Sequence, residues 1–201
     1  MDNESVRQVE VGQIKSIAQT LVGSIPDLTF DEAEMITGDQ ARFSNESRKF
    51  IQEFVDTNMS TYSITVNYDL TVEQMVIAGN YDHVSPSITQ ENFPIKGEGQ
   101  QEKKVTLFHF NRGIFPKEVI EEMSKLEYQP AEPEDVLTLG IQHRDIQRQF
   151  PILALGSPWQ HPHHRKGYVI RLEGGQTIRS INLRLFDFKS NPHYHFAAVH
   201  K

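Results

Sequence analysis

Seven of the nine histidines fall within residues 143–201, and five of them stand in two groups that are able to do chemistry. The first group is His161, His163 and His164, inside Trp159-Gln-His-Pro-His-His-Arg-Lys166. The second is His193 and His195, two residues apart, a spacing that on a strand projects both rings from one face. Two neutral imidazoles so placed can share a Zn²⁺ if a loop brings a third ligand. The same rings beside Arg165 and Lys166 can instead flank a phosphodiester and move its proton near neutral pH. That alternative is a histidine-based nuclease or phosphodiesterase, with or without metal. Neither reading has a carboxylate close in sequence to the first group, so Glu173 or Asp187 has to be supplied by the fold. The plain reading is a basic surface loop and a solvated histidine pair. On it no metal and no cofactor is expected, His193 and His195 being the weak candidates for ligands.

The basic residues form a second constellation. Arg165, Lys166, Arg171, Arg179 and Arg184 lie within twenty residues that hold one acid, Glu173, and they interleave with Trp159, Tyr168 and Phe186. On a sheet face, aromatic rings stack on bases while cations meet phosphates, which makes a nucleic-acid-binding module the second alternative. The whole chain is acidic, with a pI near 5.7, which runs against that reading. The charge is unevenly distributed. Residues 1–100 carry a net −10 and residues 143–201 a net +6. Trp159 is either an interface anchor, as tryptophan often is, or a core residue under its loop. Taken together, Trp159, His163, Arg165, Lys166, Arg171 and Arg184 are the candidate binding residues, with another protein as the expected partner and nucleic acid as the alternative.

Familiar catalytic motifs are broken or absent. Gly156-Ser157-Pro158 lacks the second glycine of a nucleophile elbow, and the proline removes the backbone N–H an oxyanion hole needs. Gly97-Glu98-Gly99 is a bare glycine pair, and neither a phosphate-loop lysine nor an HExxH occurs. With no cysteine there is no disulfide, thiolate zinc site or cysteine nucleophile. The reading is a non-enzymatic binding or accessory protein. No apolar run has membrane-spanning length, the first residues lack a signal-peptide pattern, and a cytoplasmic location without membrane partners is expected.

The elements that position these residues follow from periodicity. Val6, Val9, Ile14, Ile17, Ala18 and Leu21 predict a first helix over 6–22. Thr29 predicts the cap of a second, and Ser44 or Asn45 the cap of a third that carries Phe50, Ile51, Phe54 and Val55. Tyr62, Ile64, Val66 and Tyr68 alternate with polar residues, which predicts a strand. Thr71 and Gln74 predict a capping box for a short helix. Residues 80–101 read as a long loop, Val105–Phe110 as a strand, and Pro116 and Pro133 as helix starts. Ile152–Leu155 reads as a buried strand. A meander is expected at the end: 168–172, a turn at Glu173–Gln176, 178–187 with a bulge near Arg179 or Ser180, and 193–199.

The segments Tyr62–Asp69, Leu107–Arg112 and Phe150–Ser157, with the terminal Phe196–Lys201, resemble those of a group of uncharacterised bacterial proteins. The resemblance covers residues 60–201 and implies a bacterial family. It implies no activity, substrate or site residue. The expected architecture is α+β: a helical segment over 1–58, then an α+β core over 59–201, with helices packed on one face of a mostly antiparallel sheet.

Overall fold

The computed structural model describes residues 27–201. The helix expected over 6–22 lies outside the described residues. The chain divides after Gln52 into two compact units.

In the first unit, α1 (Phe30–Gly38) begins where its cap predicts. Thr29 N–H donates to the Glu32 carboxylate (2.8 Å) and Thr29 Oγ1 accepts from Glu32 N–H (3.4 Å), a reciprocal box that satisfies two free donors. Helix α2 (Gln40–Asn58) starts a turn earlier than Ser44 or Asn45 would place it. Asp39 is the reason: its Oδ1 accepts from Arg42 N–H at 3.0 Å.

The second unit is built on a nine-stranded mixed sheet. Its strands are β1 (Met59–Asn67), β2 (His83–Val84), β3 (Gln100–His109), β4 (Tyr128–Pro130), β5 (Ile152–Ala154), β6 (Trp159–Gln160), β7 (Gly167–Gly174), β8 (Arg179–Leu185) and β9 (His195–His200). The order is β1-β3-β9-β5-β7-β8-β2, with β4 on β9 and β6 on β7. All pairings are antiparallel except β5 with β9 and β2 with β8. The helices are α3 (Val72–Gly79), α4 (Pro116–Lys125), α5 (Pro133–Gln142) and α6 (Ile146–Gln149). This is the expected α+β class. No helix among the described residues is long and apolar enough to cross a membrane.

Alternation along the strands creates two cores. Ile64, Val66, Val105, Leu107, Ile152, Leu172 and Ile181 face one side, where Val72 and Met75 of α3 and Val136 and Leu139 of α5 cover them. Leu153, Val169, Phe196 and Ala198 face the other, under Val119 and Met123 of α4. The expectation of helices on one face is thereby corrected. Both faces of the central strands are apolar, and each has to be covered.

Three details of the expected C-terminal meander are also corrected. β9 does not follow β8 in the sheet; β5 separates β7 from β9, and β8 pairs with β2. Residues 186–194 are too long for a tight hairpin, and the apolar trio Ile152–Ala154, buried on both sides, takes the central place. The bulge near Arg179 is absent, since Tyr168↔Leu185 through Gly174↔Arg179 pair without a slip. The chain reverses at Gly175–Ile178 rather than Glu173–Gln176, with Gly175 N–H donating to Ile178 C=O (2.9 Å). Ile178 is an exposed turn residue, which explains its broken parity with Ile181.

Candidate functional site

The β6–β7 hairpin presents the first histidine group. Trp159 pairs with Tyr168 and Gln160 with Gly167, leaving residues 161–166 as the loop. The loop closes on itself through His161 N–H to Lys166 C=O (3.0 Å) and Arg165 N–H to His161 C=O (2.8 Å). Arg165 takes a left-handed conformation (φ 51°), uncommon for a non-glycine residue. The His161 and His164 rings stack in parallel, 4.0 Å apart, beside Tyr168. Nδ1 of His161 accepts from His163 N–H (3.3 Å) and Nδ1 of His164 from Lys166 N–H (3.4 Å). Desolvation, then the charges of His161, Lys166 and His163, holds the His164 pKa below its ordinary value. His163, Arg165 and Lys166 are exposed. Trp159 is half-buried and packs into the first core, its ring near Phe93. It anchors the hairpin base.

The strand cations do not form one face. Arg171 and Arg184 lie on the second face. Arg171 donates to the Glu173 carboxylate (2.6 Å) and to Tyr194 Oη (3.2 Å). The same Glu173 oxygen accepts from Asn182 Nδ2 (2.7 Å). The Arg184 guanidinium lies over the Phe188 ring, 4.2 Å from its centroid. Arg179 faces the first core and is only 3% exposed. It donates to the carbonyls of Gly79 and Gly140 and to Gln147 Oε1, and lies over the Tyr81 ring. Burial pushes the Tyr81 hydroxyl pKa up to about 12, against the opposing charge of Arg179. Arg179 is therefore a cross-brace between α3, α5, α6 and β8. Sequence reasoning placed it with the surface cations; its one local cue is the loss of apolar alternation between Ile178 and Ile181.

The second histidine group is rearranged by the fold. His193 is exposed and precedes β9, so the two-residue strand spacing does not apply to it. His195 finds its neighbour across the sheet instead: His109, its register partner on β3, stacks on it at 4.4 Å. Phe150 stacks against His195 at 3.6 Å. Nδ1 of His195 contacts His193 C=O (3.3 Å), and Nε2 of His109 contacts Pro192 C=O (2.6 Å). Desolvation, and then the charge of His109, lowers the His195 pKa to about 4. His109 was missed because nothing near it in the chain marks its partner.

The register keeps the two histidine groups apart. His195 is level with Ile152 and, through it, with Leu172. Leu172 is five residues along β7 from Gly167, where the first loop ends. The groups are thus separated by roughly 17 Å along the strands and roughly 10 Å across two of them. Among the described residues no three His, Cys, Asp or Glu side chains stand together so as to hold a metal ion.

The arrangement defines a class: an α+β domain that displays a basic, imidazole-rich hairpin loop. No protein-family model, curated protein or solved structure matches the chain.

Proposed function

We propose that the chain is a non-enzymatic binding protein of the bacterial cytoplasm, and that an acidic stretch of a protein partner seats on the β6–β7 loop. The observation that carries this reading is the display of that loop. His163, Arg165 and Lys166 are exposed side by side on a hairpin whose base Trp159 pins into the first core. On a chain of net charge −7, a cationic loop is a local attractor for an acidic partner. An acidic peptide is favoured over nucleic acid because the strand arginines beside the loop are already engaged. Arg171 serves Glu173 and Tyr194, Arg184 lies on Phe188 and Arg179 is buried, so a phosphate track has few free contacts beyond the loop.

Fluorescence anisotropy with a labelled oligoglutamate peptide and a labelled oligouridine separates the readings. The peptide is expected to bind, to weaken with salt, and to lose at least about fivefold in affinity in Arg165→Ala/Lys166→Ala. Preference for the oligouridine transfers the reading to a nucleic-acid partner. Binding of neither probe removes the loop as a recognition element.

A further inference from the structure

The β1 edge of the sheet is closed by two side chains. β1 has β3 on one side, and among the described residues no strand pairs with its other side. Gln142, the last residue of α5, imitates a strand there: its Oε1 accepts from Thr65 N–H (3.0 Å) and its Nε2 donates to Thr65 C=O (2.9 Å). His143 Nε2 reaches Ser63 C=O at 2.9 Å, with its ring edge-on to Tyr62. Thr65 and Ser63 therefore point their backbone groups away from β3, and by the alternation of an antiparallel ladder so does Thr61. Among the described residues no backbone hydrogen bond covers Thr61 or the Ser63 N–H on this side. The side chains of Thr61, Ser63 and Thr65 are exposed.

Apart from the Gln142–His143 cover, β1 itself carries none of the usual guards. Exposed edges are blunted by lysine, proline, bulges or short length. β1 is nine residues long, Met-Ser-Thr-Tyr-Ser-Ile-Thr-Val-Asn, with no charge and no proline, and it pairs with β3 without a slip.

We propose that two copies of the chain pair antiparallel along β1, centred on Ser63, and that Gln142 and His143 are the latch displaced when they do. The strand is complementary to itself in this register. Thr61 faces Thr65 and Tyr62 faces Ile64, which are favourable cross-strand pairs. Ser63 meets its own copy on the two-fold axis, as an isologous contact requires. Because β1 is uncharged, the pairing sets no like charges directly opposite, although each chain carries −7. An acidic peptide, which suits the β6–β7 loop, gains no charge partner from β1 itself, so the two surfaces are independent.

Sedimentation velocity over a protein concentration series tests this. The native chain is expected to pass from monomer to dimer, while amide exchange at Thr61 and Ser63 slows as concentration rises. Ser63→Glu puts two carboxylates together on the axis. Its side chain faces solvent, so folding by circular dichroism is retained while dimerisation weakens at least about tenfold. Ser63→Pro removes an outward N–H that the ladder to β3 does not use, and it is expected to act in the same direction. Gln142→Ala/His143→Ala opens the latch and is expected to tighten the dimer about tenfold, the worth of one or two net hydrogen bonds. Three results overturn the proposal: native and latch-free chains that stay monomeric at the highest concentrations, a dimer that Ser63→Glu leaves intact, or protection of Thr61 and Ser63 that ignores concentration.

Discussion

At the scale of single residues, His195 illustrates how burial sets protonation. It lies between the parallel rings of His109 and Phe150, and its pKa falls from 6.5 to about 4. A base whose folded pKa is depressed costs stability in acid. Above about 6.5 both states are neutral and nothing is lost. Between about 6.5 and about 4 the unfolded chain takes up a proton that the folded chain refuses, so stability falls with pH across that window. His195→Phe keeps a ring in the stack and removes the titration. Urea midpoints at neutral pH and at about pH 5 are expected to fall further for the native protein than for the variant. An equal fall in both would show that the acid sensitivity resides elsewhere.

At the scale of elements, the contact between α3 and α5 depends on two glycines. The Tyr81 ring lies where a Cβ on Gly79 would stand and its hydroxyl where one on Gly140 would, and Arg179 lies over that same ring. To give way, Tyr81 has to break its contact with Arg179. Ala for Gly within a helix ordinarily gains about 1 kcal/mol, but overpacking of this kind costs about 1–3 kcal/mol. Gly140→Ala is expected to destabilise by about 1 kcal/mol net, from the balance of those two terms. Gly38, at the end of α1, has nothing within 4 Å of an added Cβ. Gly38→Ala is expected to be neutral or slightly stabilising. Chemical denaturation of both variants decides the matter, and a stable Gly140→Ala would mean that Tyr81 has room to move.

At the scale of the whole molecule, β5 joins the two cores of the sheet. Ile152 is buried in one and Leu153 in the other, each with 0% exposure. Either residue changed to Ala is expected to cost about 2–5 kcal/mol. The single tryptophan, Trp159, packs with the first core and reports on that side. Leu153→Ala, on the opposite side, is nevertheless expected to lower the Trp159 fluorescence midpoint together with the far-ultraviolet midpoint, because one strand transmits both losses. A fluorescence transition left in place by Leu153→Ala would show two faces that unfold separately.

What the sequence by itself determined is what neighbouring residues decide among themselves. The alternation of Tyr62, Ile64 and Val66 defined β1, and the cap at Thr29 and the box at Thr71–Gln74 defined the starts of α1 and α3. Pro116 and Pro133 opened α4 and α5 at the expected positions. These signals act over two to four residues, where side-chain period and cap chemistry suffice. Arg171 and Glu173, two apart on one strand, share a face by the same period and form an ion pair. Only the tertiary structure decided that Arg179 is a buried brace, since its acceptors Gly79, Gly140 and Gln147 stand 100, 39 and 32 residues away in the chain. It also decided that β5 lies between β7 and β9, that His195 meets His109 rather than His193, and that the two histidine groups stand at separate places on the sheet. Each of these outcomes depends on which strand lies beside which. That choice is made by burying both apolar faces of the central strands at once, and no local window of residues contains it.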